Sequence, residues 1–142
     1  MWFGNRCYPP RDVEIALESL FGEPVRQIKV IQYSIYVRWH WRAIATTRPN
    51  RIYLRGSGKE FFSDAPLVLH EYFHVIRQWA TGELTIPRYL MECFRRGYWD
   101  NRYEIDAREF TATELMRYRA LLAQNRQDSL PPGVHPIRKK SA

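Results

Sequence analysis

His70-Glu71-Tyr72-Phe73-His74 is an HExxH sequence. On a helix, residues four apart share a face, so both imidazoles reach one metal ion while Glu71, one residue on, points at what that metal binds. The chemistry such a trio performs is zinc-assisted hydrolysis of a peptide bond, with Glu71 as general base. Four histidines and ten glutamates in 142 residues produce the pattern by chance in roughly one chain in a hundred, so the flanks must carry the argument. Ala65 to Leu69 and Val75 to Ala80 contain no glycine, and Pro66, their only proline, stands in a first helical turn, where it is tolerated. Asp64 is placed to cap that turn and Gly82 to help end the helix. Leu69, Tyr72, Phe73 and Ile76 recur at helical spacing and give the helix a buried face beside the histidines.

A catalytic zinc site takes three protein ligands and keeps one position open. His40 falls in an alternating stretch, Tyr36 to Trp41, that reads as strand, and His135 lies among prolines near a basic end. Neither is well placed for a rigid site. Glu92, Glu104 and Asp106 are the carboxylate candidates, and Glu104 has the best spacing. From it the chain runs Glu-x-x-Ala-x-x-Phe-x-Ala through Ala107, Phe110 and Ala112. Small Ala107, one turn on, lets this helix approach the HExxH helix closely. Candidate donors to an oxyanion are Tyr98, Tyr103 and His40.

These segments resemble the small bacterial gluzincin-type metallopeptidases. The likeness covers about Thr46 to Leu115 and rests on Asn50 to Leu54, His70 to Trp79 and Gly97 to Ala107. The nearest in look are peptidase-like domains associated with contractile injection systems, in which a short strand, a loop and an HExxH helix follow in order. The segment from Glu104 is similar also to the ImmA/IrrE metallopeptidases, which use that glutamate as third zinc ligand. The resemblance implies His70, His74 and Glu104 as ligands of one zinc per chain and Glu71 as the catalytic base. The longer gluzincin pattern has an aspartate four residues after the ligand glutamate to brace a zinc histidine, whereas this chain has Arg108. The brace must come from elsewhere, with Asp106 or a backbone carbonyl as candidates.

The remainder of the chain fits a compact α+β domain. Its 142 residues, 45% hydrophobic and 15% aromatic, suffice for one core without disulfides. Two cysteines, Cys7 and Cys93, are expected as free thiols in a reducing compartment, with Cys93 in the core. Asp12 to Phe21 reads as a helix stopped at Gly22. Val25 to Val37 reads as two strands turning near Gln32 to Ser34, and Arg51 to Arg55 as a third. Helices follow from Asp64, from Pro87 to Arg96 and from Tyr103 to Gln124. The expectation is a zincin-like domain over residues 1–125, its small twisted three-stranded sheet packed on the HExxH helix, with C-terminal helices and a flexible basic tail over 126–142. The third strand would border the cleft and offer its edge to an extended substrate backbone.

No signal peptide or spanning segment is visible, so a cytoplasmic protein is expected unless a dedicated export device carries it. A net charge of +7, with 22 basic residues against 15 acidic, favours acidic partners. No recognition-helix pattern accompanies it, so nucleic acid is a minor expectation beside a protein or peptide substrate. Two alternatives to a simple peptidase are a metal-stabilised scaffold module and a protease acting near nucleic acid. Ligation alone does not require Glu71, which argues against the scaffold.

Overall fold

A computed structural model describes residues 4–38 and 43–133. His40, His135 and the Arg138-Lys139-Lys140 cluster lie outside the described residues. The elements run β1 (Asn5–Cys7), α1 (Arg11–Phe21), β2 (Lys29–Gln32), α2 (Ile35–Arg38), β3 (Ala45–Arg48), β4 (Arg51–Leu54), α3 (Gly58–Ser63), α4 (Ala65–Phe73), a π-helical segment (His74–Trp79), α5 (Ile86–Arg96) and α6 (Arg102–Asp128). The class is α+β, as expected.

The sheet has four strands, not three, in the order β1-β2-β4-β3. β1 and β2 are antiparallel, β2 and β4 parallel, and β4 and β3 antiparallel. The stretch expected as two strands holds only β2. Ile35–Arg38 turns helical after Tyr33, whose φ is +53°, so the β-branched composition there misled. The strand expected at Arg51 is β4, but it is interior to the sheet and has no free edge. That edge belongs to β3, which a tight turn with Asn50 at φ +59° folds back onto β4. Asparagine tolerates this left-handed conformation better than most residues.

One face of the sheet, through Val30, Ile52 and Leu54, joins a core with Val68, Leu69, Tyr72, Val75 and Ile76 of the HExxH helix. That pattern makes α4 a central element. α6 packs along it with Ala107 fully buried, in line with the small residue at that turn. Farther along, α6 packs on α1, where Arg126 pairs with Asp12 at 2.8 Å and Asn125 donates to the Asp12 carbonyl. The helix reaches Asp128, three residues into the stretch expected as tail. Among the described residues, no helix is long and apolar enough to cross a membrane.

Candidate metal centre

α4 starts where expected. The Asp64 carboxylate accepts from the Leu67 amide at 3.1 Å, with proline in the first turn. The α-helical ladder carries His70 and Glu71, then widens into a π-helix at His74. Such π segments cluster at functional sites. α6 begins beside it under Asn101, whose side chain accepts from the Tyr103 amide, so Glu104 sits in the first turn of a capped helix.

These elements bring three side chains to a point. Nε2 of His70 lies 3.0 Å from Nε2 of His74 and 3.0 Å from Oε2 of Glu104, and the third side, His74 to Glu104, is 3.5 Å. His74 and Glu104 are buried, while His70 is partly open to solvent. Glu92 and Asp106 do not join them: Glu92 is on α5 near Arg96, and Asp106 is on the exposed face of α6. Neither cysteine takes part. Cys93 is not core but half-buried in the cleft wall.

The hydrogen bonds fix what the triangle presents. Gln78 donates through Nε2 to the Tyr103 carbonyl at 3.0 Å, which turns its Oε1 toward Nδ1 of His74 at 2.6 Å. Nδ1 must then carry a proton, so that in the neutral imidazole the Nε2 lone pair faces the triangle. The partner behind His74, expected from Asp106 or a backbone carbonyl, is the side chain of Gln78, four residues beyond it. Tyr89 of α5 donates to the other Glu104 oxygen, Oε1, at 2.9 Å. Neither residue was singled out from the sequence. Gln78 carried a usable signal, its helical spacing from His74; Tyr89 meets Glu104 only through the packing of α5.

Two imidazole nitrogens and a carboxylate oxygen this close must share a proton or a cation. Burial works against a charge on His74, yet the hydrogen bond it donates to Glu104, the nearby Glu71 carboxylate and Gln78 outweigh it and raise the imidazole above its ordinary value. Burial likewise opposes ionisation of Glu104, but the bonds to His70 and His74 hold that carboxyl well below the usual range. Glu71 is buried beside them at the cleft floor, and desolvation raises its carboxyl despite the pull of both histidines. His70, His74 and Glu104 thus form a group that could hold a metal ion.

Of the expected oxyanion donors, Tyr103 is buried with its hydroxyl on the Glu83 carbonyl. Tyr98 instead lines the cleft with His70 and Glu71. Burial, Glu104 and Glu71 push its hydroxyl up to about 12, so it stays protonated and able to donate. β3 forms the opposite wall, where the Trp79 indole donates to Thr47 at 3.0 Å. No protein-family model matches the chain, and no curated protein or solved structure is significantly similar to it.

Proposed function

We propose that the protein is a zinc-dependent metallopeptidase of the gluzincin type. The observation that carries the reading is the triangle of His70, His74 and Glu104, with sides of 3.0 to 3.5 Å. A tetrahedral ion with bonds of about 2.0–2.1 Å needs donor atoms about 3.3–3.4 Å apart. Two imidazoles and a carboxylate are also a donor set that zinc takes in hydrolases. When bound, zinc supplies Lewis-acid polarisation and a lowered pKa for water on its open side.

The side chains divide the remaining work. Glu71 accepts a proton from the attacking water and passes it to the leaving amine; its raised carboxyl brings it nearer the operating pH, as a general base requires. Tyr98 donates to the oxyanion that develops on the scissile carbonyl. Gln78 keeps His74 in the tautomer with its lone pair inward. β3 aligns the substrate. Ile44 bonds back to Arg55, and by antiparallel alternation Ala45 and Thr47 turn their backbone groups to the outer edge. An extended peptide can add there as a further strand.

Metal analysis tests the reading. One zinc per chain is expected in the wild type and a large loss in a His70→Ala/His74→Ala double variant. Full occupancy in that variant would overturn the site, and full occupancy and activity in Glu104→Ala would remove Glu104 from it.

A further inference from the structure

The centre lies in the middle of a cleft with two lobes, of about 350 and 580 Å³, that share His70, Glu71, Ala45 and Tyr98. The first lobe follows the C-terminal end of the HExxH helix and is walled by Trp79, Leu84, Ile86 and Leu90. The second follows its N-terminal end, between Ile44, Pro66, Leu67 and Trp99. From Pro66 to His74 the α-helical part alone advances about 12 Å, the length of about four residues of extended chain, and the π-helical turn to Trp79 lengthens the path. β3 runs beside both lobes and is an outer strand of the sheet, with no strand beyond it among the described residues.

Large apolar side chains stand exposed along this path. α5 has no buried residue, yet Ile86 and Leu90 stand four positions apart on it and line the first lobe, 47% and 61% exposed. Across the centre, Trp99 is 71% and Ile44 64% exposed. Trp99 is fixed in place by Arg108, whose guanidinium bonds its carbonyl and lies over its ring. Contiguous apolar surface of this kind on both sides of a polar centre marks a binding groove.

Resting on the peptidase reading, we propose that the cleft takes the interior of an extended polypeptide with bulky apolar side chains on both sides of the bond presented to Glu71. Such segments occur in unfolded chains and exposed hydrophobic strands. A wall of leucine, isoleucine and tryptophan selects them against polar sequences by burial alone. The two-ended cleft favours an internal bond over a chain end.

The test uses full-length, zinc-loaded Glu71→Gln protein and dye-labelled dodecapeptides, with binding read by fluorescence anisotropy. A peptide with leucine and phenylalanine flanking its centre is expected to bind about tenfold or more tighter than one with serines there. It should also bind more tightly than one with the apolar pair moved to the C-terminus. Leu90→Ala in the first lobe and Trp99→Ala in the second, both at exposed positions, should each weaken binding several-fold with an unchanged melting temperature. Equal binding of the apolar and serine peptides, equal binding of the terminal peptide, or insensitivity to both variants would overturn the proposal. Failure of the peptidase reading looks different: the apolar peptide binds as expected, but zinc-loaded wild type does not hydrolyse it.

Discussion

Gln78 spans two helices, its Oε1 2.6 Å from Nδ1 of His74 and its Nε2 3.0 Å from the carbonyl of Tyr103. The residue after that carbonyl is Glu104. One amide therefore sets the tautomer of the second histidine and ties it to the turn that delivers the carboxylate. Removing it should loosen both at once.

Gln78→Leu keeps the volume and loses both hydrogen bonds. Its zinc affinity is expected to fall about 10–100-fold, the usual cost of losing a partner behind a ligating histidine. Competition with a coloured chelator measures this, and an unchanged affinity would mean that His74 is oriented by packing alone.

Tyr89→Phe removes the donor to Oε1 of Glu104. With Oε1 released, the carboxylate can swing, and zinc affinity should fall about tenfold, in keeping with a hydrogen bond to a charged group. Circular dichroism should show an unaltered fold. The same affinity as wild type would make Tyr89 only part of the cleft wall.

The ease of reading this chain varied with how local each signal was. HExxH, Asp64 and Glu104 could be picked out because helical spacing and capping are written within a few residues. The partner at Gln78 obeys the same spacing from His74, whereas the gluzincin pattern points to Asp106 or a backbone carbonyl. Ser57 and Glu60 form a capping box that announces α3, a signal overlooked in sequence. Other features were not local. β1 has three residues and β3 reads Ala-Thr-Thr-Arg, too short and polar for period-two patterning; both exist because the more apolar β2 and β4 pair with them. Ile35–Arg38 has strand-like composition, yet the positive φ at Tyr33 redirects the chain into a helical turn.

Zinc removal should show a pH signature. In the metal-free protein, the raised His74 imidazole contributes stability that is complete below its unfolded value and is lost as pH rises through the higher folded value. Zinc requires the neutral imidazole, so its affinity rises over the same range. The gap in melting temperature between zinc-loaded and chelator-treated protein should therefore widen as pH rises from the ordinary imidazole value through the raised folded one. At free zinc about a thousand times the dissociation constant, binding adds about 4 kcal/mol. Scanning fluorimetry with and without chelator checks this, and a gap that narrows with pH would contradict it.

Asp64→Ala removes the cap of α4. It should destabilise the protein by about 1 kcal/mol in urea unfolding without changing zinc stoichiometry. No loss of stability would show that the α3–α4 junction is held by its apolar neighbours.

On the peptidase reading, Glu71 performs proton transfer in peptide hydrolysis at a zinc site it does not itself build. The most direct measurement compares single-site cleavage by zinc-loaded wild type and Glu71→Gln at equal metal occupancy. Glutamine preserves size and lacks basicity, so zinc content should be unchanged while the hydrolysis rate falls about 10²–10⁴-fold. Cleavage by Glu71→Gln at the wild-type rate would contradict the account.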